Sequence, residues 1–503
     1  MEYNTNDASA ANAQARFDAL RGELITQFKH YFPDDMALKT VIIVPSQSLD
    51  PEILAKVKGI IHYEERLLCL LLLLRMPRTR IIYLSSMPID ETIVDYYLHL
   101  LPGVTVRHAR QRLTLLSCHD TSNRPLTQKI LDRPRLIEKI RNSILPGHAA
   151  HMSGFNITYL EHELALQLRV PLYGCPASLA YWGTKTGSRE IFRRAGLPMP
   201  PGYEHLESMA EILEALRQLK KEYPSLSKAV VKLNDGFSGE GNAIFSYDAA
   251  GADLNENVLR QHLKMVAKDL TYDVFAEKIV LMGGIVEAFI GGEEKMSPSV
   301  QCRINPLKQI EVLSSHDQLL DAETGQIYLG CTFPANGAYS HEIGKMGYQV
   351  AEELSRLGAI GRFGVDFISV KQDNRWQHYA IEINLRKGGT THPYIMLQFL
   401  TDGYYDHHTG IYHTPSGRNL HYLATDCLQS ESYKTLTPED LMDIAICNHI
   451  HYNATKQEGV MFHLLGALPE HGKLGMVCIG ATPERAEELY RQTVAVLDKE
   501  TAG

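Results

Sequence analysis

The sequence predicts a multidomain protein of α/β and α+β character, and three observations carry that prediction. Its 503 residues exceed what one hydrophobic core ordinarily organises and suit two to four domains. Residues 16–170 begin with a helix and then alternate short apolar strands with helical segments. From Pro171 onward that rhythm gives way to alternating strands and Gly-rich turns, which converge on the stretch from Gly361 to Pro393.

Composition bounds the function. Hydrophobic residues make up 44% of the chain, and 50 basic against 59 acidic residues give a net charge of −9 without a basic stripe. Nucleic acid is therefore excluded as an expected partner. Residues 1–15 are rich in Asn and Ala, lack an apolar core and read as a flexible tail rather than a signal peptide. The longest apolar run, Leu67 to Leu74, lies between Arg66 and Arg75; it is too short to span a bilayer and reads as a buried helix. The eight Cys form no C-x-x-C pair, so neither a disulfide framework nor a thiolate zinc site is expected, and a reducing cytoplasm fits.

In the N-terminal part, Val41 to Val44 is a strand of parallel type, the segment around Ile53 to Leu74 is helical, Arg80 to Ser86 is a second strand and Ile89 to Leu101 a further helix. This is a Rossmann-like unit. The absence of G-x-G-x-x-G after its first strand argues against a dinucleotide site there. His62-Tyr63-Glu64-Glu65-Arg66 reads as helix-surface charge and packing, with an interface or substrate role left open.

Further along, Gly183-Thr184-Lys185 opens a helix that ends before Gly196, a natural left-handed terminator, with Pro198 and Pro200 just beyond. Ser208 and Glu211 form a capping box for the next helix. Lys228 to Leu233 is a strand carrying Lys232, and the loop behind it holds Gly236, Ser238, Gly239 and Gly241. Three glycines so close together let backbone N–H groups approach an anion, although a hairpin tip without function shares that composition. No Gly-Lys-Ser/Thr opens a helix here, which excludes a Walker A loop. Arg303, on a later strand, suits a substrate-facing or a solvent-facing position.

The stretch Gly361 to Arg386 reads as a β-hairpin centred on Asn374. Period two puts Glu382, Asn384 and Arg386 on one face of the second strand, with Tyr379, Ile381, Ile383 and Leu385 on the other as core. Asp366 then lies opposite Glu382, with Cβ atoms about 5 Å apart. Two facing carboxylates beside an Asn oxygen imply a cation between them, and oxygen-only ligands favour Mg²⁺ or Mn²⁺ over zinc. Arg386 can grip a carboxylate or phosphate bidentately, with the Gly388-Gly389-Thr390 turn adding backbone donors.

Asp366 followed by Glu382-Ile-Asn384-Leu-Arg386 resembles the metal-binding end of the ATP-grasp superfamily. With Lys387-Gly388-Gly389-Thr390-Thr391-His392-Pro393 behind it, the text closely resembles the pheganomycin-type peptide ligases. The resemblance extends to His62–Arg66, Gly183–Arg189, Gly459–His463 and Gly472–Gly475. It implies a Rossmann-like pre-ATP-grasp domain over 16–170, an ATP-grasp domain over 171–425 with its lid at about 197–282, and a small family-specific α+β domain over 430–503. It implies that Lys185 and Lys232 contact ATP phosphates under the loop of Gly236, Ser238, Gly239 and Gly241. Glu287 would meet the ribose, with Phe289 and Ile290 at adenine, and Asp366, Glu382 and Asn384 would hold Mg²⁺ or Mn²⁺. Arg386, Gly388, Gly389, Thr390 and Arg303 would face the carboxylate substrate.

The activity so implied is an ATP-dependent carboxylate-amine ligation through an acyl phosphate, releasing ADP and phosphate. Catalytic roles fall to Arg386, Lys232 and Lys185, and the partners are a small carboxylate and an amine, amino-acid-like or peptide. A non-amine acceptor, giving a thioester, an ester or phosphoryl transfer, and a silent ATP-binding regulator are the alternatives. The C-terminal segment starts with Thr437-Pro438-Glu439-Asp440, adds two strands and closes on an amphipathic helix from Pro483; a homodimer contact there is left open. Two loosely spaced histidine groups, Asp406/His407/His408/His413 and Cys447/His449/His451, lack the spacing of a defined metal site.

Overall fold

A computed structural model describes residues 7–48, 54, 57–236, 241–251, 254–268, 270–292, 294–321, 325 and 327–502. Lys39–Val44 is buried on both faces, as a continuous apolar strand must be, and is central in a four-stranded parallel sheet. The order across that sheet is Leu113–Ser117, Thr79–Ser85, Lys39–Val44, Ala149–Gly154.

Against it packs Ile60–Arg75, the segment expected to be helical, as a 3₁₀-helix. Its residues from Tyr63 to Leu72 are buried on every side, which also overturns the reading of Glu64, Glu65 and Arg66 as surface charge. Each has a distant polar partner instead: Ser86 for Glu64, the Gly466 N–H for Glu65 and Asp426 for Arg66. Arg112 is structural, as packing would have it, donating to the carbonyls of Leu74, Met76 and Thr79 at 2.6–2.8 Å.

The second layer is a five-stranded antiparallel sheet in the order Gly202–Leu206, Gly284–Ala288, Lys228–Leu233, Asn242–Ser246, Leu263–Met265. It has its own core, in which the helix Met209–Glu222 buries Ile212, Leu216 and Leu219. Ser208 caps that helix by accepting from the Glu211 N–H, but Glu211 reaches back to Glu207 N rather than to Ser208, so the reciprocal half of the box is displaced by one residue.

The third layer is a nine-stranded antiparallel sheet. Its path runs Lys295–Met296, Gly361–Gln372, Pro298–Ile304, Ile310–Leu320, Tyr328–Phe333, His421–Gln429, Lys473–Gly480, Gly459–His463, with Arg375–Asn384 also paired to Gly361–Gln372. The C-terminal strands thus continue this sheet, and the helix Pro483–Thr501 packs on them through Leu489 and Leu497. Among the described residues no helix is long and apolar enough to cross a membrane.

Glu64 offers a pH handle on the first layer. Its carboxylate accepts from Ser86 N and Oγ, both at 2.6 Å, and Lys129 donates to the same Oγ at 2.9 Å. Burial outweighs those partners and pushes its pKa up to about 7, above the value of about 4.3 in an unfolded chain. The contribution to stability is therefore fully present below about pH 4.3 and lost as pH rises through 7. Glu64→Gln should raise stability at pH 8 by about 1–3 kcal/mol and leave it unchanged near pH 4. Melting curves with the same difference at both pH values would contradict this.

Candidate active site

The hairpin Gly361–Gln372/Arg375–Asn384 builds the floor of the site. Its turn is the two-residue Asp373-Asn374 pair, both with positive φ (50° and 63°), and Gln372 pairs with Arg375. A regular ladder from that turn would set Asp366 against Ile381. A β-bulge between Asp366 and Phe367 on one strand and Ala380 and Glu382 on the other absorbs Ile381, so that Asp366 faces Glu382 and Gly364 faces Asn384. The expected pairing is present, half a residue away from the expected centre. The bulge also corrects the face assignment: His378, Ala380 and Ile383 are buried, while Tyr379 is half-buried and Ile381 lines the cleft with Glu382.

Asp366 Oδ1 accepts from Gln318 Nε2 at 3.0 Å and Oδ2 from Asn384 Nδ2 at 2.8 Å. Burial, reinforced by the neighbouring Glu382 carboxylate, pushes its pKa up to about 6. Lys185 Nζ donates to Glu382 Oε1 at 2.6 Å. Lys185 is the first residue of the helix Lys185–Arg194, whose Thr184 cap accepts from Gly187 N. Gly187 has to be glycine, because a Cβ there would lie 2.1 Å from the Tyr181 carbonyl oxygen. Thr186 donates through N and Oγ1 to Asn234 Oδ1, at 3.0 and 2.6 Å. Asn234 thereby ties the helix start to the end of the strand that carries Lys232.

Lys232 is buried and paired with Glu287, which also accepts from Arg189 Nη1 at 3.3 Å. Glu287 is thus an ion-pair partner in this state. Phe289 and Ile290 follow it along the cleft wall. Gly236 and Gly241, the two described ends of the Gly-rich loop, line the cleft close together: a Cβ on either would lie 3.6 Å from the other's Cα. Ser238 and Gly239 lie outside the described residues.

On the far side, Arg386 lines the cleft, with Glu382, Asp366 and Asp235 raising its pKa against a larger lowering by burial. The turn after it is held from below by Gln301, which donates to Thr390 O at 2.7 Å and accepts from Thr391 Oγ1 at 3.0 Å. Gly388 N donates to the same Thr391 Oγ1. Gly388, Gly389 and Thr390 all line the cleft, together with Asp366, Glu382 and Asn384.

Arg303 is the exception. It shares the cleft-facing side of its strand with Ser299 and Gln301, but it sits one step past them, opposite Arg362, and pairs with Glu311 at 2.5 Å outside the lining. Neither loosely spaced histidine group assembles a metal-type cluster; among the described residues such clusters are His62/Glu470/His471 and His392/Asp426/His463. Sequence reasoning also missed Gln318, Gln301, Asn234 and Lys295. Lys295 lines the cleft with Nζ 4.6 Å from the Phe289 ring centroid, and burial and then Lys232 lower its pKa. Only Asn234 had a local signal, as the polar residue that ends a Lys-bearing strand.

With this geometry in place, comparison with known proteins is specific. Residues 176–250 and 253–408 match the family described as IQCH-like, ATP-grasp, and residues 440–493 match the PGM1 C-terminal domain. The chain is 30% identical over 465 residues to an L-propargylglycine–L-glutamate ligase of Streptantibioticus cattleyicolor, covering 91% of this chain and 94% of that one. Two solved structures share the fold. A biotin carboxylase from Campylobacter jejuni has a TM-score of 0.56 at 13% identity, covering 92% of this chain and 91% of the other. The ADP complex of an N5-carboxyaminoimidazole ribonucleotide synthetase has a TM-score of 0.53 at 15% identity, covering 92% and 98%. The chain therefore belongs to the ATP-grasp superfamily and, within it, to the pheganomycin-type peptide ligases.

Proposed function

We propose that this ligase joins an amino-acid-like or peptide carboxylate to an amine with ATP as the energy source, and that the cleft floored by Asp366, Glu382 and Asn384 is where it does so. The single observation that carries the reading is the meeting of those three oxygen-bearing side chains with Lys185, Lys232 and Arg386 around one cleft. The relative that forms a bond between L-propargylglycine and L-glutamate supports amino acids as the substrate class.

The donor set fits Mg²⁺ or Mn²⁺: two carboxylates and an amide, with no thiolate or imidazole at the cleft floor. When bound, such an ion offsets charge on the β- and γ-phosphates. Asp366, Glu382 and Asn384 would hold it. Lys185 and Lys232 exchange their present carboxylate partners for phosphate oxygens, and Phe289 and Ile290 flank the base. Gly236 and Gly241 bring the loop ends over the phosphates, in the part assigned also to Ser238 and Gly239.

Arg386 and the Gly388–Thr390 turn hold the substrate carboxylate in line with the γ-phosphorus. Carboxylate oxygen attacks phosphorus, ADP leaves, and the amine nitrogen then attacks the acyl carbon and expels phosphate. The protein contributes alignment and electrostatic stabilisation, which explains why lysines, arginine and amide donors dominate the site, with no Ser or Cys nucleophile needed.

The direct test is ADP release from pairs of amino acids, with mass spectrometry of the product. ADP formed only when both are present, together with a new amide, is the expected result; a thioester, an ester or ADP without either substrate would refute it. Glu382→Ala should lower turnover at least about a hundredfold, with an unchanged circular dichroism spectrum. Arg386→Lys should raise KM for the carboxylate partner and lower kcat, because an ammonium cannot reproduce the two-pronged guanidinium contact. Wild-type kinetics in either variant would remove the role given to that residue.

A further inference from the structure

Behind the Gly388–Thr390 turn, four buried side chains meet that the ligase reading leaves unused. Arg66 comes from the 3₁₀-helix, His392 from the first turn of the helix Thr391–Thr401, Asp426 from the strand His421–Gln429 and His463 from the end of Gly459–His463. Asp426 Oδ2 accepts from Arg66 Nη2, and Asp426 Oδ1 lies 2.5 Å from His463 Nε2 and 3.3 Å from His392 Nε2. The two Nε2 atoms are 3.0 Å apart. The crossing requires glycine at 475, where a Cβ would lie 2.1 Å from His463 Nε2.

The cluster has the composition of a metal site but not its surroundings. Both Nδ1 atoms are buried without a partner, whereas a ligating imidazole gives its second N–H to an acceptor. A buried lone pair is tolerated better than a buried orphan N–H, so the hydrogens belong on Nε2, pointing at Asp426. Arg66 on the second oxygen completes the neutralisation of the carboxylate without a metal.

What the cluster does hold is the residue that follows the turn. Thr390 and Thr391 line the cleft, Thr391 Oγ1 fixes Gly388 N, and His392 comes next in the chain. We propose that Arg66, Asp426, His392 and His463 are positioning residues that set the carboxylate-binding turn Gly388–Thr391 from behind, and so govern affinity for the carboxylate substrate and not for nucleotide. This rests on the assignment of that turn under the proposed function.

The test uses the full chain and its Asp426→Asn, His463→Ala and His463→Gln variants, with an equimolar mixture of the twenty amino acids as substrate probe. Asp426→Asn and His463→Ala should raise the apparent KM for the mixture at least tenfold and leave the Kd for Mg·ADP within twofold. His463→Gln, which keeps a donor toward Asp426, should recover most of the loss. Amino-acid and nucleotide constants moving together, no change in either, or a stoichiometric transition metal lost in Asp426→Asn would overturn the proposal. If the wild type turns over none of the mixture, the twenty amino acids are not its substrates, and hydrogen exchange of the free chain decides the network separately. Faster exchange confined to residues 386–396 in Asp426→Asn supports it, and uniform or unchanged exchange refutes it.

Discussion

Everything at the centre of this molecule answers to one electrostatic constraint: Asp366 and Glu382 face each other across two hydrogen-bonded strands. At about 5 Å, two unit charges repel by about 3 kcal/mol at an effective dielectric of 20. Nothing in hairpin formation demands that arrangement, and the bulge at Ile381 is what enforces it. The chain answers that repulsion in two ways. Lys185 takes one carboxylate as a partner, and the other is drawn toward protonation, its pKa raised to about 6 by burial and by Glu382.

The surrounding layers read as supports for that pair. Lys185 reaches Glu382 from a helix start pinned by Asn234, and Lys232 stands on the strand that ends at the same Asn234. One amide side chain therefore couples the two lysines to each other. On the opposite wall, Gln301 and Gln318 do similar work from the central sheet, one beneath the Thr390 turn and the other on Asp366. These neutral donors fix geometry without adding charge to a site whose charge balance is already tight.

How much of this was legible from sequence depends on the range of the cause. The strand Lys39–Val44 and the lysine-bearing helix start are local patterns, and their register needed no tertiary knowledge. The pairing of Asp366 with Glu382 was also legible, but a symmetric hairpin reached it without the bulge, and Tyr379 and Ile381 were put on the wrong face for that reason. Arg303 suited either a substrate-facing or a solvent-facing position in the sequence; alternation bears on the side of a strand and says nothing of how far along it a ligand extends. Glu64, Glu65 and Arg66 were misread as surface because their burial depends on partners far away in the chain, with Asp426 lying 360 residues from Arg66. No local spacing encodes such a contact, and the His392–His463 meeting is invisible for the same reason.

The charge inventory of the cleft bears on how a metal ion and a nucleotide would enter it together under the proposed function. Four cations line it, Lys185, Lys232, Lys295 and Arg386, against three carboxylates, Glu287, Asp366 and Glu382. A free triphosphate would find Lys185 and Lys232 already engaged by Glu382 and Glu287, and would face those carboxylates at close range. A free divalent ion would find Lys185 on one carboxylate and the other with its pKa raised by burial and by Glu382. Neither enters well alone. Under the proposed function the two would arrive as one complex: Asp366 and Glu382 would hold the ion, and Lys185 and Lys232 would turn to the phosphates. The pairs Lys185–Glu382 and Lys232–Glu287 thus keep each charged group partnered at the cleft, with partners that the proposed reaction would have them exchange.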